Sequence, residues 1–306
     1  MELITEKLLS AVSDNWTGKF LGAYNIRENG QCAGRAVTEN IDIITKTDKH
    51  GIDIKIKPNT KGETVSIPAC VTHGDVDDLV YNDFYVGENA EVIIAAGCGV
   101  HTDTHETARH NGIHRFFLGK NSHVIYREKH IGTGEGDGTR SIDPVTEAFL
   151  EEGAVLEIES TQIKGVDSTN RKTKAEVGKN AKLIIRECIM TDCAQQAKTD
   201  FEVELTGENS GVDLVSRSVA KGTSVQSYRS KITGKAPCTG HSECDAIIAD
   251  SATVNAAPEL TAAHPDAQLI HEAAIGKIAG EQILKLMTLG LTEEEAENRI
   301  IEGFLK

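Results

Sequence analysis

A turn signature recurs through the middle of this chain at a period near thirty residues, and it limits the fold more than any other feature. Gly87-Glu88-Asn89-Ala90 returns as Gly119-Lys120-Asn121-Ser122, Gly178-Lys179-Asn180-Ala181 and Gly207-Glu208-Asn209-Ser210, each leading into a short alternating run such as Glu91-Val92-Ile93-Ile94. A degenerate copy, Glu151-Glu152-Gly153-Ala154, puts Gly153 at the Asn position, and both residues tolerate positive φ. From 87 the copies start at 119, 151, 178 and 207, giving steps of 32, 32, 27 and 29. A unit of this size, one turn and a strand or two, cannot bury its apolar face alone; stacked coils can. The segments are too short and too rich in Val, Ile and Thr for helices. The pattern predicts a mainly β chain, a right-handed parallel β-helix (solenoid) with short helical segments at both termini. The competing reading is a β-sandwich, whose strands recur at a much shorter spacing and without a long fixed period.

The ends depart from the repeat, as solenoid ends must if their open edges are to be covered. Residues 1–24 read as an N-terminal helical cap, with Leu3, Leu8, Leu9 and Val12 on one stripe of a helix over residues 2–13. Residues 25–278 form the expected β-helix core, and 279–306 a C-terminal helical segment. There Gly280 to Leu289 carries Ile283, Leu284 and Met287 on one face, with Gly290 expected just past its end. Thr292-Glu293-Glu294-Glu295 is a capping box, and Ala296, Ile300, Ile301, Phe304 and Leu305 follow at helical spacing.

With 47 acidic and 32 basic side chains among 306 residues, the formal charge is -15. Long-range attraction to nucleic acid or anionic lipid is disfavoured, so neither is an expected partner. The start lacks the basic flank of a signal peptide, and no apolar run approaches a membrane span, so a cytoplasmic protein is expected. Seven cysteines without C-x-x-C pairs suit neither a disulfide framework nor a zinc finger.

Three stretches go beyond a generic solenoid. They are Gly240-His241-Ser242-Glu243-Cys244-Asp245, then His271-Glu272-Ala273-Ala274-Ile275-Gly276, then the run from Glu281 through Gly290-Leu291-Thr292 to Gly303-Phe304. In order and spacing this resembles the SufB/SufD family of iron–sulfur cluster assembly scaffolds, in a short form matching from about residue 80 onward. The resemblance implies a β-helix that pairs with a second copy and a C-terminal segment that docks a SufC-type ABC ATPase. It also implies a sulfur donor and apo-protein recipients. Cys244 matches the family cysteine implicated in cluster assembly, and Glu272 and His271 match its His-Glu-Ala block, which makes these three the expected ligands of a transient iron–sulfur cluster. Gly97-Cys98 resembles the pair from which a sulfur-transfer path begins; His114 and His130 resemble later positions on that path. The chain ends three residues after Gly303, where long members continue, and its N-terminal part is shorter. A homodimer with two ATPase copies is expected rather than a mixed pair.

The residues themselves agree with such chemistry. Iron clusters take thiolates first, and imidazole or carboxylate as more exchangeable ligands. Cys244 and Glu272 lie 28 residues apart, about one repeat, so stacking can bring them to the same edge. The alternative is a zinc- or iron-dependent enzyme built on the histidine-rich stretch 101–130, where His101, His105, His110, His114, His123 and His130 crowd together. The other reading of that stretch is solvated turns on the solenoid rim. A polysaccharide-acting β-helix is disfavoured by the 4% aromatic content, which leaves few sugar-stacking platforms.

Overall fold

The repeated turn residue sets the coil. Asn89, Asn121, Gly153, Asn180 and Asn209 all have φ between 53° and 71°, the left-handed region open to asparagine at modest cost and to glycine at none. Their N–H groups point along the stack: Asn89 donates to the Lys120 carbonyl, Asn121 to Glu152, Gly153 to Lys179 and Asn180 to Glu208. Turn locks onto turn, and the strands that follow fall into register. Glu91 pairs with His123, His123 with Val155, Val155 with Lys182 and Lys182 with Gly211, which reproduces the steps read from the sequence.

The computed structural model describes residues 3–305, with Lys164 by its backbone only. It is a β-solenoid of two ten-stranded sheets. The first sheet runs in the order Gln31–Ala36, Ala23–Glu28, Lys61–Val71, Glu91–His101, His123–Thr133, Val155–Lys164, Lys182–Thr191, Ser210–Ala220, Cys238–Ile248 and Ala267–Gly276. The second runs from Ile41–Thr45 at one end to Thr253–Ala262 at the other. From Gly51–Ile56 onward the chain alternates between the sheets, with Arg140–Ile142 and Val145–Leu150 together filling one place in the second, and along the repeat neighbours are parallel. Alternate side chains of each strand meet inside, where Phe84 stacks on Phe116 at 4.6 Å and Tyr126 packs edge-on against Phe116. Burying each such aliphatic or aromatic side chain contributes about 1.5–3 kcal/mol, and it is this burial that holds the coils together.

The two ends differ. At the N-terminal end the strands turn antiparallel, Ala23–Glu28 against Gln31–Ala36 and Ile41–Thr45 against Gly51–Ile56. Helix α1 (Leu3–Val12) lies on the first sheet, burying Leu8 and Leu9 against Phe20, Ile26 and Cys70; Glu2 of the expected 2–13 helix lies outside the described residues. Its seat needs glycine, because a Cβ on Gly97 would fall 2.4 Å from the Val12 carbonyl oxygen. At the C-terminal end, Thr253–Ala262 and Ala267–Gly276 each keep one free edge, and their side chains are mostly exposed.

Helix α2 (Gly280–Met287) stops at Thr288, short of the expected end at Leu289, because the Thr288 hydroxyl turns back to the Lys285 carbonyl; Gly290 still takes positive φ. Helix α3 (Glu293–Phe304) begins with the expected capping box, Thr292 Oγ1 accepting from the Glu295 N–H and Glu295 Oε2 from the Thr292 N–H. It packs on the solenoid through Ala296 and Ile301, an ion pair of Glu297 with Lys221 at 2.9 Å, and the Cys188 thiol donating to the Leu305 carbonyl. Helix α2 buries nothing, and its Leu284 is 61% exposed. No described helix is long and apolar enough to cross a membrane.

Candidate functional site

Strand parity decides which expected site residues meet. On Cys238–Ile248 the inward positions are Cys238, Gly240, Ser242, Cys244 and Ala246, and Cys244 is 1% exposed. In the following coil of this sheet Cys238 pairs with Ala267, so Cys244 lies beside Ala273 and Ser242 beside His271. His271 therefore shares the inner face with Cys244, as its diagonal neighbour. Glu272 stands one position before Ala273, the true partner of Cys244, and points to the outer face. The expected triad is thus divided: thiol and imidazole inside, carboxylate outside. There Glu272 Oε2 lies 3.2 Å from His241 Nε2, whose Nδ1 is 2.8 Å from Asp213 Oδ1. Sequence spacing treats the step from Cys244 to Glu272 as one repeat; the local step is one residue longer, and one residue reverses the face.

The Cys244 thiol is pushed up to about 12, first by burial and then by the Glu187 and Asp245 charges. Ser216 stands beside it on the preceding coil. His271 Nδ1 is buried without a hydrogen-bond partner, on a coil covered from one side only.

Cys98 lies five coils away along the same sheet, on the inner face of Glu91–His101, paired with His130 of the next coil. Burial, reinforced by the charges of Glu128 and Cys70, raises its thiol well above the ordinary range. Asn25, Arg27, Asn82, Cys98, His110 and His114 bound a void of about 10 Å³ here, enough for one water-sized occupant.

Between the two thiols a column of buried polar side chains runs alongside the apolar core. Asn82 Nδ2 lies 3.3 Å from His114 Nε2, His114 Nδ1 lies 2.6 Å from the Tyr126 hydroxyl, and that hydroxyl donates to Glu128 Oε1 at 3.0 Å. The sequence of donors fixes His114 as the neutral Nδ1–H tautomer, and burial lowers its pKa to about 4. Arg171 bridges two carboxylates, donating to Glu128 Oε2 at 2.5 Å and lying 3.2 Å from Glu187 Oε1. His130 Nδ1 lies 3.3 Å from Arg171; its Nε2 is 3.3 Å from Glu128 without hydrogen-bond geometry. Glu187 accepts from Thr199 and, at 2.8 Å, from Ser216, the neighbour of Cys244. Burial opposes ionisation of both acids. At Glu128 the adjoining Arg171 and His130 win, holding it well below the usual carboxylate range, whereas Glu187 stays raised. A continuous set of polar groups thus joins the surroundings of Cys98 to those of Cys244.

The histidine-rich stretch is mostly β structure, and of its six histidines only His105 sits on a solvated bend between strands. His110, His114 and His130 are interior, with His110 bound to Asp78 at 3.0 Å. His123 pairs with Glu157 and His105 with Asp137 outside, and His101 bonds to Thr133 and Asp103. Among the described residues these six do not gather ligand atoms around one point; the group that does is His241, Glu243 and Glu272. Glu128, Arg171 and Glu187 were missed from sequence, though parity counted from the Asn121 and Asn180 turns places all but Arg171 inside.

Comparison with known proteins agrees with this architecture. Residues 81–304 match the family model described as SUF system FeS cluster assembly, SufBD core domain. An iron-sulfur cluster assembly SufBD family protein of Archaeoglobus fulgidus is 32% identical, over 85% of this chain and 69% of its own length. One of Methanothermobacter thermautotrophicus is 29% identical over 83% and 62%, and one of Methanocaldococcus jannaschii 27% identical over 77% and 74%. On the match of the core model across most of its length, the chain belongs to the SufBD family of the iron–sulfur cluster assembly system.

Proposed function

We propose that this chain is a scaffold, not a catalyst, on which iron–sulfur clusters are assembled as transient cargo and passed to apo-proteins. The observation that carries the reading is the buried polar column between Cys98 and Cys244, since so many desolvated charges are costly in a solenoid that could have been packed with hydrocarbon. In this reading α1 lifts from Gly97 and Gly99, the Cys98 thiolate takes the outer sulfur of a donor persulfide and the donor's own thiolate leaves, the column offers polar partners to that sulfur moving inward, and Cys244 with His271 holds iron at the far end. Two copies meet at the uncovered C-terminal coil as a homodimer, through strand edges that are otherwise unpaired. A SufC-type ABC ATPase takes the exposed apolar face of α2. In this reading the ATPase supplies the opening, because a thiol held near 12 by burial must be uncovered before it can ligate iron as thiolate.

Anaerobic reconstitution with iron and sulfide tests this. A visible-absorbing dimer is expected, with most of the colour lost in Cys244→Ala; full colour and an unchanged Mössbauer spectrum in that variant would sink the reading.

A further inference from the structure

The outer face of the first sheet ends, at its C-terminal coils, in a cluster of one imidazole and two carboxylates. Elsewhere opposite charges stack coil upon coil: Arg127 on Glu159 at 2.7 Å, Lys61 on Glu91 at 3.3 Å, and on the second sheet Lys235 on Glu204 at 2.7 Å. Like charges also meet at Asp53 and Asp83, where Lys46 neutralises both, and at Glu176 and Glu204, where Lys235 pairs with Glu204; at the C-terminal end Glu243 and Glu272 are direct partners across neighbouring strands on one face. Like charges placed so are destabilising. Among the described residues neither has a lysine or arginine within ion-pair distance, and Glu243 has no ion pair at all. The group between them is an imidazole, and one ligand atom each of His241, Glu243 and Glu272 lies within 4.8 Å of the other two.

The imidazole is also held. Asp213 takes the Nδ1 side of His241 at 2.8 Å and is itself anchored by Arg186 from the coil before. A carboxylate on one ring nitrogen orients the other toward a metal and makes it a better donor. Here that other nitrogen, Nε2, faces Glu272.

We propose that His241, Glu243 and Glu272 form a binding site for a first-row divalent cation on the outer face, separated by the sheet from the Cys244 thiol. One imidazole and two carboxylates suit Fe2+, Mn2+, Co2+ or Zn2+ with water filling the remaining positions, and do not suit a thiolate-bound cluster. The inference rests on the scaffold reading only for its purpose: the site then holds ferrous iron on the opposite face of the same two strands that carry Cys244 and His271. Asp213 is a positioning residue.

The test is anaerobic titration of the full chain with Co2+, read by visible absorption, and with Mn2+, read by electron paramagnetic resonance. One ion per chain is expected, bound equally by the wild type and by Cys244→Ala. His241→Ala and Glu243→Gln should abolish it, and Asp213→Asn should weaken it about 10- to 100-fold. Glu243→Gln removes a repulsion, so its apo thermal unfolding should not fall, which separates lost ligation from lost fold. Co2+ binding that survives His241→Ala and Glu243→Gln, a Co2+ spectrum that vanishes in Cys244→Ala, or no binding by the wild type overturns the proposal. Loss of cluster colour in Cys244→Ala is a separate result and bears only on the scaffold reading.

Discussion

Cys98 and Cys244 sit in opposite kinds of enclosure. Cys98 is sealed from both sides: α1 rests on the outer face of its strand through Gly97 and Gly99, and inside it faces His130 within reach of Glu128 and Arg171. Cys244 has serines and a histidine for neighbours and a single uncovered coil between it and the end of the solenoid. The first thiol is enclosed by fixed charge, the second by a thin cover. One arrangement favours a permanent internal environment; the other favours opening, because a terminal coil with few buried side chains is the cheapest part of a solenoid to displace.

The sharpest way to break this contrast is to remove the charge at the centre of the sealed region. Arg171→Met leaves Glu128 and Glu187 buried without their shared cation, and loss of about 3–5 kcal/mol in urea unfolding is expected. A loss below ~1 kcal/mol would mean that the carboxylates are neutral or hydrated, and that the interior is not a fixed-charge environment.

Acid provides the next test. His114 is buried as the neutral ring, with its pKa lowered from 6.5 to about 4. The unfolded chain therefore binds a proton that the folded chain refuses between those values, and stability falls as pH drops from 6.5 toward 4, by up to about 3 kcal/mol. Glu128, held well below its ordinary value in the fold by Arg171 and His130, adds a loss of the same sign below 4.5, where the unfolded chain takes up a proton that the folded chain refuses. His114→Gln should flatten the slope of stability against pH between 6.5 and 4.5; an unchanged slope would place the titrating group elsewhere. Cys244 and Tyr228, raised far above this window, contribute nothing to it.

Much of this fold was legible because the turn residue is chemically specific. Asn at 89, 121, 180 and 209 marks left-handed backbone, and once the turns are located the coil lengths follow by subtraction. The site was less legible, for a reason that also lies in the periodicity. A solenoid with steps of 32, 27 and 29 does not hold parity between distant residues, so a spacing close to one repeat says nothing about face until the local step is known. That is why Glu272 parted from Cys244 while His271, which pairs directly with Ser242, did not. The interior charges were hidden differently. Tyr126-Arg127-Glu128-Lys129-His130 carries charge on both faces, so hydrophobicity does not mark which is inward; parity counted from the Asn121 turn does, and the burial of alternate members places Glu128 and His130 in the core. Binary pattern alone assigns polar residues to the surface, and here it fails where function and packing diverge.

The smallest expected effect lies at the thin cover itself. Tyr228 reaches across from the second sheet, its hydroxyl 3.1 Å from Ser242 Oγ, which is in turn 2.9 Å from Ser230 Oγ. Tyr228→Phe keeps the ring that packs against Phe201 and deletes one hydrogen bond, so global stability should fall by only about 1 kcal/mol. Yet Ser242 lies two positions from Cys244 on the same inner face and directly beside His271. If the terminal coil is the part that opens, loosening it should raise the rate at which iodoacetamide reaches Cys244 while leaving Cys98 protected. Equal acceleration at both thiols would mean that the variant loosens the solenoid throughout, and that the two enclosures do not differ in kind.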